Sequence, residues 1–60
     1  MMFAILPVSD DFCRDDAEWY TDLEQAYDSA FDWSVDLNGT VVNIYEEYQG
    51  NLRPLTSVFA

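Results

Sequence analysis

The sequence has no histidine, no lysine and a single cysteine, Cys13, among its sixty residues. One thiol excludes an intrachain disulfide. Without histidine it also excludes a structural zinc site of the Cys/His type. The same absences remove the commonest general base and the Schiff-base nucleophile, so the chain reads as a non-enzyme with no cofactor. Cations are scarce: Arg14 and Arg53 stand against twelve acidic residues, for a formal net charge of −10. There is no internal repeat, low-complexity linker or long apolar run. The apolar start, residues 1–8, has no basic flank and is too short for a signal peptide or a membrane span. A cytoplasmic setting is expected, where a lone thiol stays reduced. The negative charge argues against DNA, RNA and anionic membranes as direct partners.

What is present is half apolar, with two tryptophans, four tyrosines and four phenylalanines. Disordered acidic tails lack such material for a core, so this chain is expected to fold. A domain this small buries only ~60% of its unfolded surface. With disulfide and zinc excluded, tight packing, a self-partner or another protein must supply the remaining stability.

Residues 2–6 form an apolar run ended by Pro7 and read as a first strand. Residues 9–16 are polar and acidic and read as a loop. Thr21 and Glu24 have the spacing of a capping box, with Asp15 and Glu18 as an earlier alternative start. Leu23, Ala26, Tyr27, Ala30, Ser34 and Leu37 then recur on one helical face, flanked by Phe31 and Trp33. Asn38-Gly39 supplies the stop. Residues 40–45 read as a strand, residues 49–51 as a turn and residues 52–59 as a last strand. Pro54, lacking an amide hydrogen, puts that last strand at an edge or marks a bulge. The expected fold is α+β: a single small β-α-β-β domain, one amphipathic helix packed on a three-stranded sheet. A right-handed crossover follows if the strands flanking the helix are parallel. The pattern resembles that of many short phage and bacterial proteins, an architectural likeness that does not set function.

The acids are not scattered evenly. Asp28, Asp32 and Asp36 recur every four residues opposite the apolar stripe. Like charges at this spacing destabilise a helix by about 0.2–0.5 kcal/mol per pair. Asp36 also sits at the end where the macrodipole disfavours an anion. The row repeats every ~6 Å along the axis, the order of phosphate spacing on nucleic acid. A second group is Asp10, Asp11, Asp15, Asp16 and Glu18, which serves either helix entry or a wider negative surface. Glu46 and Glu47 form a third group beside the hairpin, where acids also keep sheet edges soluble.

A calcium loop fails on inspection. Aligning Gly39 with the invariant glycine of an EF-hand puts Ser34 and Tyr45 where an acid and a bidentate glutamate are required. No metal site is expected. Cys13, beside Arg14 and among acids, reads as structural or incidental rather than as a nucleophile.

The aromatics exceed what one small core easily hides. Phe31, Tyr45 and Tyr48 are the candidate interface anchors, because interfaces favour such side chains. The sequence predicts a non-catalytic inhibitor or regulator that occupies a basic, nucleic-acid-binding surface of a partner protein by imitating phosphates. The alternative is a structural accessory subunit or homodimer that binds through aromatics and a strand edge.

Overall fold

The apolar run at the start forms strand β1 (Met2–Pro7), buried along almost its whole length. Phe3 and Ile5 face one side of the sheet, while Ala4 and Leu6, buried as well, face the other. A strand covered on both faces is apolar at consecutive positions rather than alternate ones. The structure is a computed structural model that describes residues 1–8 and 12–60.

A short strand, β2 (Glu18–Tyr20), pairs antiparallel with β1, placing Tyr20 opposite Phe3 and Glu18 opposite Ile5. The sequence pattern predicts no strand here, and the sheet has four strands rather than the three expected. Three residues hold too little alternation to announce a strand. The backbone of β1 supplies the partner that makes them one.

Helix α1 covers Leu23–Asp36. Its N-cap is Asp22, whose carboxylate accepts the Glu24 amide at 3.1 Å, and not Thr21 as the capping-box spacing suggested. An aspartate cap fills the same need, because it accepts from an otherwise orphaned amide and favours the positive end of the dipole. The C-terminal end is a Schellman motif. Asn38 is left-handed at φ 59°, its amide bonds Val35 O at 3.1 Å, and the Gly39 amide reaches Ser34 O at 2.8 Å. Asparagine tolerates that conformation, and Gly39, also at positive φ, continues the turn.

Strands β3 (Val42–Tyr48) and β4 (Asn51–Val58) form the expected hairpin. Gln49 and Gly50 both take positive φ, at 52° and 79°, which is the signature of a type I′ turn. Pro54 does lie on an edge strand, beside a bulge. Thr56 pairs with Ile44 and Pro54 with Tyr45, leaving Leu55 as the extra residue. Gln49 is a poor fit for the left-handed region. Gln49→Asn is therefore expected to stabilise the fold by ~0.5 kcal/mol, read as a higher urea midpoint with an unchanged slope. A midpoint that falls counts against the assigned turn.

The strand order is β2-β1-β3-β4, with every neighbouring pair antiparallel. A parallel β1–β3 pair, one option left by the sequence, is ruled out. Strands β2 and β3 both run against β1 and so run parallel to each other. They are joined through α1, which makes a split β-α-β unit around β1.

Phe3, Ile5, Val42 and Ile44 meet Ala26 and Ala30 in the core, with Tyr20, Leu23, Trp33 and Val58 packed around them. Small residues on the helix let it lie close to the sheet. The expected stripe is corrected in two places: Tyr27 and Leu37 are exposed, and Trp33 is partly buried instead. The other face of the sheet is covered too. Phe12 packs edge-on against Tyr45 at 4.9 Å, and the indole of Trp19 donates to Arg14 O at 3.1 Å.

Candidate functional site

The outer side of α1 carries the charge. Asp28, Asp32 and Asp36 are all exposed. Asp22 and Glu24 extend this negative surface at the N-terminal end of the helix. Both arginines are engaged elsewhere. Arg14 pairs with Glu47, and Arg53 Nε bonds Glu46 Oε1 at 2.8 Å. Glu47 lifts the Arg14 guanidinium above its ordinary pKa range, chiefly through the hydrogen bond and despite some desolvation. Among the described residues, therefore, no cation is paired with the helical row.

The third acidic group separates from the first two. Glu46 and Glu47 sit partly buried on β3 and are matched by the two arginines, so they add little net field. Asp15 and Asp16 are exposed in a turn closed by the Asp16 and Ala17 amides on Cys13 O. Asp10 and Asp11 lie outside the described residues.

Glu18 belongs with the helix instead. With Tyr20, Ser29, Asp32, Trp33 and Asp36 it lines an open hollow of about 390 Å³ between β2 and α1. Here the Tyr20 hydroxyl donates to Glu18 Oε1 at 2.7 Å. A hydrogen bond with Ser29 pulls the phenol pKa down. The bond to Glu18, burial and the Glu18 charge outweigh it, and the net shift is upward. Tyr20 therefore stays protonated at neutral pH and serves as a fixed donor, holding the Glu18 carboxylate at the hollow.

The candidate aromatic anchors divide as well. Tyr45 is half-buried under Phe12. Tyr48 is exposed beside the hairpin turn, and Phe31 is exposed on the helix. Phe31 is not alone there. Tyr27, Phe31 and Val35 are 41%, 48% and 52% exposed and recur every four residues. Each stands one position before an aspartate of the acidic row. The sequence reading assigned Tyr27 to the core. The signal that placed it otherwise, the shared four-residue repeat with Phe31 and Val35, was present but fitted a core stripe equally well.

Among the described residues no three Cys, Asp or Glu side chains come close enough to hold an ion. Ser34, the first position of the calcium-loop alignment, is buried and accepts the Ala60 amide at 2.9 Å. Cys13 is exposed. No helix of the described residues is long and apolar enough to cross a membrane. No protein-family model, curated protein or solved structure matches this chain.

Proposed function

We propose that this chain is a non-catalytic acidic binding protein that occupies a basic, nucleic-acid-binding surface of a partner protein and acts there as an inhibitor or regulator. The observation that carries the reading is the uncompensated carboxylate row on α1. Both available cations go to Glu46 and Glu47, and none is spent on Asp28, Asp32 and Asp36. A row kept only for solubility has no reason to forgo the stabilising pairs that interleaved lysines provide. Carboxylates at ~6 Å intervals offer a cationic groove a substitute for phosphates and steer its approach. An exposed, unpaired Cys13 fits a reducing cytoplasm.

Competition tests the reading. Bound to its partner isolated from the native source, the protein should displace a labelled oligonucleotide. Its affinity should fall about tenfold between 50 and 200 mM salt. Salt-independent binding with the oligonucleotide still in place refutes it.

A second reading, an accessory subunit or homodimer, is favoured by the exposed apolar side chains of α1 and by the open edge of β4. The bulge and Pro54 blunt that edge as a strand-pairing template. Under this reading binding persists in high salt and Phe31→Ala weakens it more than neutralising the aspartates does.

A further inference from the structure

Helix α1 carries two exposed rows, not one. Tyr27, Phe31 and Val35 lie on the flank turned away from β2, since Ser29 and Trp33 line the hollow on the β2 side, which Asp32 and Asp36 also border from the outer face. Asp28, Asp32 and Asp36 follow them by one residue each, a rotation of about 100° at 3.6 residues per turn. Each row spans nine residues, eight rises or ~12 Å, which is roughly two turns of a facing helix. These exposed apolar side chains are gathered in one row rather than scattered singly, the arrangement that interaction surfaces share.

Charge selects the occupant. A second copy brings another −10 and sets one aspartate row against the other. An anionic lipid surface or a nucleic acid is repelled in the same way. A wholly apolar segment would strip water from three carboxylates and return nothing. We propose that the Tyr27/Phe31/Val35 flank docks a basic amphipathic helix of the partner protein. The apolar side of that helix lies on these three residues and its lysines or arginines on Asp28, Asp32 and Asp36. This is helix-on-helix recognition through anchors at four-residue spacing, with the charges fixing orientation. The inference rests on the acidic-binding reading above and deepens it: the cationic surface is helical and carries an apolar stripe.

The probe is a synthetic helical peptide of leucine and lysine with leucines at i, i+3, i+4 and i+7. A scramble of the same composition is the control. Calorimetry gives affinity and amide NMR shifts give location. The patterned peptide should bind at least about tenfold tighter than the scramble, with shifts centred on residues 27–36. The double variant Phe31→Ser, Val35→Ser should lose that tenfold advantage while leaving the scramble's affinity unchanged. Both side chains are half exposed, so the variant keeps its fold, checked by circular dichroism. Equal binding of the two peptides overturns this inference and leaves the phosphate-mimic reading standing. Shifts centred on the β4 edge, or on Glu18 and Tyr20 of β2 with residues 27, 31 and 35 unmoved, also overturn it. So does a dimer in sedimentation that the double variant abolishes, because the occupant is then a second copy. The mimic reading fails separately, through the oligonucleotide competition.

Discussion

Replacing Asp28, Asp32 and Asp36 together by asparagine is expected to make the protein more stable and, at the same time, a weaker binder. The two effects share a cause. Two like-charge pairs at four-residue spacing destabilise the helix by about 0.2–0.5 kcal/mol each. Asp36 in the last turn adds about 0.3–1 kcal/mol against the macrodipole, with no basic residue there to offset it. Asparagine has nearly the helix propensity of aspartate, so the exchange isolates charge. Relief of about 1 kcal/mol raises Tm by ~4–8 °C in a domain of this size, and the gain should shrink in high salt. Binding moves the other way. Three charge-assisted contacts at about 1 kcal/mol each amount to roughly a hundredfold in Kd. Thermal unfolding and calorimetry on the same preparation read both. A stabilised variant with unchanged affinity reduces the row to a solubility device and removes the proposed function with it. Opposite signs are what a surface kept for binding at the expense of stability should show.

The second large effect lies in the core and fixes which aromatics are free to bind. Ile44 is fully buried at the centre of the sheet, between Ile5 on β1 and Thr56 on β4, within the cluster that includes Ala26 and Ala30. Truncating such a side chain to alanine costs about 2–5 kcal/mol. Sixty residues at 0.05–0.15 kcal/mol each hold only about 3–9 kcal/mol in total. Ile44→Ala is therefore expected to remove at least about a fifth of the stability, and most of it at the marginal end, read as a lower urea midpoint. Phe31→Ala, by contrast, should stay within about 0.5 kcal/mol of the parent, as exposed substitutions do. Urea denaturation measures both. A loss above 2 kcal/mol for Phe31→Ala means the ring is packed in solution, and the docking flank then loses its central anchor.

The contrast between these two residues shows where sequence reasoning reached its limit. The pattern of residues 40–45 reads as a strand, and the structure has one at Val42–Tyr48 with Val42 and Ile44 buried in the core. Periodicity along α1 found Ala26, Ala30 and Ser34 on the buried side. It misjudged Tyr27 and Leu37, because a stripe at helical spacing does not say how far the helix is rolled about its axis. That roll is settled by what fits against Phe3, Ile5, Val42 and Ile44. Three small side chains fit there, with Trp33 closing the β2 side. Tyr27 is left with Phe31 and Val35 on the outside.

The acidic surface divides along the same line. The Asp28/Asp32/Asp36 row was legible from spacing alone, since four residues are nearly one helical turn. The fate of Glu46 and Glu47 was not. Their partners are seven and thirty-three residues away in sequence, and Arg14 reaches Glu47 only because β1 and β3 pair. Glu18 reads as a helix-entry acid until β2 forms beside β1 and turns it into a wall of the hollow.

By itself the sequence determined the kinds of element, the helix stop at Asn38-Gly39, the hairpin turn, the restriction of Pro54 to an edge or a bulge and the Asp28/Asp32/Asp36 row on α1. These depend on interactions between residues a few positions apart, where propensity, capping and periodicity act. Only the tertiary structure decided that residues 18–20 form a strand, that β1 and β3 run antiparallel, that both arginines are spent on β3, and which flank of α1 stays open. Each of those depends on contacts between segments far apart in the chain. Such contacts are selected by the joint packing of a small core, and no local pattern encodes that packing.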